Sequence, residues 1–239
     1  MGEGCGNDDE LMDYVTSINI ACGYHAGDLE TMQRTVSSAV EKGVAIGAHP
    51  GYPDRENFGR FEMELSTEEI FTIVRDQVLT LQGICIEVGA KLSHVKPHGA
   101  LYNQSAKDAT LAGAIAESVF SINPELLLFG LSGSVSIAEA QRRGLNTASE
   151  VFADRTYQAD GSLTPRTMKN AVITDTDLSV RQVLSMINDR LVKTTDGNDV
   201  SILADSICIH GDGENAVEFA KTIRNELARN KIEIVAING

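Results

Sequence analysis

One pattern constrains this chain more than any other: a short apolar run, a polar cluster at its end, then an amphipathic helical stretch, repeated several times. Strands alternating with helices imply right-handed βαβ units and a parallel sheet, closed as a barrel or open and doubly wound. The first unit runs from residues 17–23 into the polar stretch 24–28. There Asp28 is placed to cap a helix that carries Leu29, Met32, Val36, Ala39 and Val40 at helical spacing as far as Gly43. In the second unit Val44, Ile46 and Ala48 form one face of a strand ending at His49, and a long loop over residues 50–60 follows. Ser66 and Glu69 make a capping box for a helix whose stripe of Ile70, Ile73, Val74, Val78, Leu81 and Val88 stops at Gly89.

Leu92 opens the third run, which Pro97 prevents from being helical. Side chains of an extended run alternate between faces, so His94, Lys96 and His98 share one of them. A solvated edge strand tolerates such a row, and a strand lining a polar cavity explains it. Downstream, residues 126–131 read as a fully buried parallel strand, and 132–134 as a turn that either cradles an anion or simply reverses the chain. Glu150, Phe152 and Asp154 fall in one phase, residues 157–170 form a turn-rich excursion, and 178–191 read as a helix. A last apolar run over 207–210 precedes a helix through Ala216, Ala220, Ile223 and Leu227 and a terminal apolar stretch, 232–237.

The polar residues decide between barrel and open sheet. Asn19, His49, Lys96, His98, Glu150, Asp154 and His210 come from five different predicted strands, at or near their C-terminal ends, where barrel enzymes place their chemistry. An open sheet gathers its ligands at a single crevice. An irregular α/β barrel is therefore favoured, with a doubly wound sheet as the lesser option. All five histidines, His25, His49, His94, His98 and His210, fall within or just after predicted strands. Any one alone reads as a hydrogen-bonded structural histidine; together they point to a cavity. Histidines and carboxylates from strand ends can assemble a metal site, but no His-Glu-x-x-His motif is present and His94 and His98 are too far apart on an extended strand to chelate easily. Lys96 needs a carboxylate or an anionic substrate, and Glu150 and Asp154 are the internal candidates. Arg155 either pairs with a substrate carboxylate or sits in an exposed ion pair.

Length and charge bound the rest. With 239 residues and 42% hydrophobic content, the expectation is one domain over 1–239. A formal charge of −14 argues against nucleic acid or an anionic membrane as partner. The four cysteines are widely spaced with no Cys-x-x-Cys pair, and no leader or membrane-length apolar run is visible, so a reducing, cytoplasmic setting is expected. No Walker-type motif occurs.

The stretches 19–28, 43–50, 94–103, 150–155 and 210–212 together resemble the LamB/YcsF family, collinearly and over essentially the whole chain. The resemblance implies an irregular (β/α)7-type barrel similar to the glycoside hydrolase/deacetylase superfamily. It further implies a role as one subunit of a bacterial ATP-dependent 5-oxoprolinase, which with two partners, subunits B and C, opens 5-oxo-L-proline to L-glutamate. Carried onto this sequence, it makes His49, Lys96, His98, Asp154 and His210 catalytic candidates and Glu3, Asn19, His25, Asn103, Glu150 and Arg155 substrate-binding candidates. ATP is the implied cofactor, with magnesium carried alongside, and Asp154 and Asp212 as the carboxylates to hold it. A metal-dependent deacetylase or amide hydrolase acting alone, and a non-catalytic partner subunit, are the rival readings. Family members usually carry a short strand just before the Gly-Glu-Gly that here occupies residues 2–4. The expectation is thus a barrel lacking its first strand, with an unpaired edge along 17–23 unless the run 232–237 fills it.

Overall fold

Six short strands pair in parallel, in the order β1 (Ser17–Ala21), β2 (Ala45–His49), β3 (Leu92–Val95), β4 (Leu127–Leu131), β5 (Thr147–Phe152) and β8 (Ser206–Cys208). The structure, a computed structural model, describes residues 1–213 and 215–237. Helices make the crossovers: α2 (Leu29–Lys42), α3 (Thr67–Glu87), α4 (Gly99–Ser105) followed by α5 (Ala109–Ile122), α6 (Val135–Arg143) and α7 (Thr176–Asn188). A short α1 (Asp8–Leu11) precedes the sheet and α8 (Ala216–Arg229) follows it. The sheet curls into a half-barrel with the helices around it, which is the irregular barrel expected, with six sheet strands among the described residues rather than seven.

The period of two sorts the strand residues. Ile18, Ile20, Ile46, Ala48 and Leu128 point outward and share one core with Met32 and Val36 of α2, Val74 and Val78 of α3, and Ile115 and Val119 of α5. Each of the isoleucine, leucine, valine and methionine side chains among them contributes about 1.5–3 kcal/mol by leaving water. Every second position faces the concave side, and there the chain places Asn19, His49, Glu150 and Cys208. The signals that start and stop the helices act as expected. Asp28 accepts from the Thr31 N–H, Ser66 and Glu69 close a complete capping box, and Gly43 takes the left-handed conformation (φ 66°) that ends α2.

Among the described residues the two sheet edges, β1 and β8, do not pair. β1 has β2 on one side, and on the other it meets Met1, whose amino group donates to Asn19 O at 2.8 Å and whose carbonyl accepts from the Ala21 N–H at 3.0 Å. The expected open edge is thus present along Ser17 and Ile18. The run 232–237 forms no strand: Ile232 and Ile234 pack with Phe219 and Ile223, and Ile237 reaches Leu127, Phe129 and Ala148.

Other departures are local. Leu29 and Val40, counted in the apolar stripe of α2, are 65% and 48% exposed, because the sheet touches only the narrower face carrying Met32, Val36 and Ala39. The helix expected over 178–191 spans Thr176–Asn188 instead. Leu191 begins an antiparallel hairpin, β6 (Leu191–Lys193) with β7 (Asp199–Ser201), closed around Asp196 and Gly197. That Asp-Gly turn is visible in the sequence, but three-residue strands are too short for alternation to declare itself.

Candidate active site

The C-terminal ends of the strands open into a cavity of about 910 Å³ that reaches the gap between β1 and β8. Glu3, His49, Lys96, His98, Glu150 and His210 all line it. Sequence-predicted residues from opposite ends of the chain are thus brought to one chamber, in two distinct clusters.

The first lies over β1 to β3. His49 ends β2, and His98 caps α4 just beyond β3. His98 Nδ1 lies 3.0 Å from His49 Nε2. The His25 ring stacks on His98 with centroids 3.8 Å apart, and its Nε2 is 3.3 Å from Glu3 Oε1. Burial, and then His98 and Lys96 nearby, hold His49 well below the ordinary imidazole range. Burial, with His25 beside it, brings His98 down to about 3. Burial by itself would raise the Glu3 carboxyl, but the hydrogen bond from His25, the amino terminus and His98 outweigh it and lower Glu3 to about 2. Expected as a substrate contact, His25 is only 1% exposed and lies behind His98, where it orients His98 and Glu3. Phe58 and Gly59 close this cluster. Both adopt left-handed conformations (φ 57° and 63°), which put the Phe58 carbonyl 2.8 Å from His98 Nε2. Phe58 lacks the freedom of glycine, so this turn is held by its surroundings.

The second cluster lies over β5 and β8. Lys96 Nζ donates to Glu150 Oε1 at 2.6 Å and to Cys208 Sγ at 3.2 Å, and Tyr102 donates its hydroxyl to Glu150 Oε2 at 2.9 Å. Burial disfavours the Lys96 ammonium, yet Cys208 and the Glu150 carboxylate raise its pKa above the ordinary value. Of the two carboxylates expected for Lys96, Glu150 is the partner. Asp154 instead receives His210 Nδ1, at 2.7 Å to Oδ2.

The remaining candidates separate. Asn19 Oδ1 lies 3.1 Å from His94 Nε2, on the concave face. Asn103 is exposed on α4 at the cavity wall. Arg155 is not exposed, and among the described residues it has no ion-pair partner. It is 5% exposed and donates to the carbonyls of Ala171 and Thr164, so it anchors the excursion after β5. Asp212 pairs with Arg60 at 2.7 Å. Asp154 and Asp212, expected to share a magnesium ion, are thus engaged by His210 and Arg60 respectively. Among the described residues, the one group of three acidic, histidine or cysteine side chains with donor atoms close enough for a metal is Glu3, His49 and His98.

Phe58, Arg60, Tyr102, Arg166 and Cys208 also line the chamber, though sequence reasoning does not single them out as site residues. Tyr102 stands within the stretch 92–103 that carries the histidines, and the loop 50–60 is long enough to signal a function. Cys208 reads from sequence only as a buried thiol.

A curled parallel sheet with ionisable side chains converging at its C-terminal ends defines the class of small-molecule sites that α/β barrels carry. The chain belongs to the LamB/YcsF family, which it matches over residues 1–239. It is 55% identical over 228 residues to the A-type subunit of 5-oxoprolinase from Geobacillus kaustophilus, an alignment that covers 95% of this chain and 89% of that one. It is 50% identical over 233 residues to the corresponding 5-oxoprolinase subunit from Bacillus subtilis, covering 98% and 91%. The crystal structure of the lactam utilization protein from Thermus thermophilus superposes with a TM-score of 0.91 at 40% identity, covering 97% of this chain and 93% of that one. No helix among the described residues is long and apolar enough to cross a membrane.

Proposed function

We propose that this chain is the A-type subunit of an ATP-dependent 5-oxoprolinase that opens 5-oxo-L-proline to L-glutamate together with subunits B and C. The observation that carries the reading is the identity of about half the chain to proteins named for that subunit, coupled to a chamber that gathers Glu3, His49, His98 and His210, the last held by Asp154. A five-membered lactam resists hydrolysis, so its amide oxygen is first activated by phosphoryl transfer from ATP. Water then adds to the activated carbon.

His210 is the residue best placed to take the proton of that water. Its Nδ1 faces the Asp154 carboxylate, which fixes the tautomer and leaves Nε2 as the base. The same nitrogen then returns the proton to the ring nitrogen as the C–N bond breaks, leaving a γ-glutamyl phosphate that a second water hydrolyses to L-glutamate and inorganic phosphate. Arg166, at the chamber wall, supplies positive charge for the substrate carboxylate or phosphate. Lys96 is held by Glu150, so its contribution is to shape the chamber floor. The carboxylates present do not fit an all-oxygen magnesium cage, since Asp154 and Asp212 are engaged elsewhere, and no step runs through magnesium here.

The test is an ATP-dependent assay of 5-oxoproline conversion to glutamate, run with this chain alone and with its two partners. Turnover is expected only in the full mixture. Robust conversion by the isolated chain without ATP would instead support an amide hydrolase acting alone, the reading that the Glu3, His49 and His98 donor set favours. Unchanged turnover after the chamber histidines are replaced would mark the chain as a non-catalytic partner.

A further inference from the structure

His49 and His98 each commit one ring nitrogen to the backbone. His49 Nδ1 lies 2.6 Å from Lys96 O, and His98 Nε2 lies 2.8 Å from Phe58 O. A carbonyl oxygen can only accept, so each of these nitrogens carries the hydrogen. In a neutral imidazole the other nitrogen is then bare. The two bare nitrogens, His49 Nε2 and His98 Nδ1, face each other at 3.0 Å. Two lone pairs at hydrogen-bond distance with no hydrogen between them repel, so the contact calls for a positive charge. Glu3 stands ready as counter-charge: its Oε1 is 3.8 Å from His98 Nδ1, and one donor atom from each of the three residues lies within 4.8 Å of the others.

We propose that Glu3, His49 and His98 bind a divalent transition-metal ion of the zinc, cobalt or manganese kind through two imidazole nitrogens and one carboxylate oxygen. Such a set suits borderline metals rather than magnesium or calcium, which prefer all-oxygen shells. Three protein ligands leave positions open for water or substrate, the arrangement of catalytic rather than purely structural sites. Bonds of about 2.0–2.1 Å in a tetrahedron separate neighbouring donors by roughly 3.3 Å, so the 3.0 Å and 3.8 Å spacings here need only small side-chain adjustments. The outer shell is already built. Metal-bound histidines almost always donate their second N–H to a carbonyl or carboxylate, as both do here. His25 stacks on His98 and contacts Glu3, orienting two of the three ligands at once. The left-handed Phe58 is what brings its carbonyl to His98.

The experiment does not depend on lactam turnover, so this site and the proposed function stand or fall separately. The purified full chain is stripped with a chelator and titrated with Zn2+ by calorimetry and with Co2+ by visible absorption. One ion per chain is expected, with a cobalt spectrum typical of low-coordinate nitrogen and oxygen ligation. His98→Ala and Glu3→Gln should each weaken binding about 100-fold or more, while Asp154→Asn leaves the affinity for either ion unchanged. If His98→Ala does not fold, as judged by thermal melting, Glu3→Gln carries the test, because Glu3 lies on the loop before α1 and outside the apolar cores. Absence of saturable one-to-one binding to the unsubstituted chain overturns the site, as does binding that survives both ligand substitutions. A nitrogen NMR signature of a proton shared between the two rings, in a chain that takes up neither ion, overturns it as well.

Discussion

Side by side in the chamber, joined through the Lys96 backbone, two buried polar clusters are built to different standards. Over β5 and β8, the Lys96 ammonium meets Glu150 at 2.6 Å, Tyr102 supplies the second carboxylate oxygen with a donor, and the rings of Tyr102 and Phe152 flank the charge with centroids at 5.6 Å and 5.2 Å. Over β1 to β3, every hydrogen available to His49 and His98 is directed at backbone, and the nitrogens that remain face each other. The first cluster is complete within the chain and therefore acts as a charged piece of the core. The second has coordination capacity left over. Buried groups that satisfy one another specify structure, whereas groups pre-aimed at a common point and left unsatisfied mark where a ligand belongs.

The sharpest way to break that distinction is to strand a charge. Lys96→Met with Glu150 retained should lower stability by about 3–5 kcal/mol in chemical denaturation, because a carboxylate is left buried without its partner. The double variant Lys96→Met/Glu150→Leu should recover most of the loss. A single variant that loses under about 1 kcal/mol would place Lys96 with the functional groups rather than the structural ones.

His210→Ala should behave in the opposite way. We expect kcat of the reconstituted enzyme to fall by about 10²–10⁴, the usual worth of a general base, with only a modest loss of thermal stability, since His210 is partly exposed and its backbone N–H still donates to Asp154. Matching losses of stability and activity would make the residue structural.

Asp154 offers a smaller, pH-dependent effect. Burial raises its carboxyl, but the hydrogen bonds and charge contact with His210 outweigh this and hold it below the ordinary value. A folded-state pKa below the unfolded one, about 3.9, contributes stability that is complete above that pH and is lost as pH falls through the folded value. The stability gap between the unsubstituted chain and Asp154→Asn should therefore be widest near neutrality and shrink below about pH 4. A gap of the same size at pH 7 and pH 3 would show that the His210 contact is not what holds the carboxyl down.

The smallest expected effect sets the scale for the rest. Asp28→Ala removes the side-chain cap of α2, a group bonded to neither cluster, and should cost about 1 kcal/mol with no change in turnover or ion binding. Any effect on either function would mean the clusters are sensitive to helix α2 as a whole.

Which of these features could be read in advance divides along one line. Asp28, Gly43, Ser66 with Glu69, and the outward faces Ile18, Ile20, Ile46 and Ala48 are legible because caps and strand alternation are properties of a few adjacent residues. For the same reason the polar side chains can be assigned to strand ends, and strand ends to one rim of a barrel. Where alternation is cut short, as in the three-residue strands of the β6–β7 hairpin, the sequence is silent.

What the chain determined by itself, then, is where the sheet strands and their crossover helices run, which faces are apolar, and that histidines and carboxylates from distant segments share a rim. Tertiary structure alone decided that Lys96 pairs with Glu150 rather than a ligand, that Arg155 anchors a loop, and that the bare nitrogens of His49 and His98 face one another. Those outcomes join residues 54, 16 and 49 positions apart. Local periodicity orients a side chain to within a face, but the partner of a buried charge and the tautomer of a histidine depend on atoms placed to within a few tenths of an ångström. That placement exists only once the helices have packed the strands into their curl.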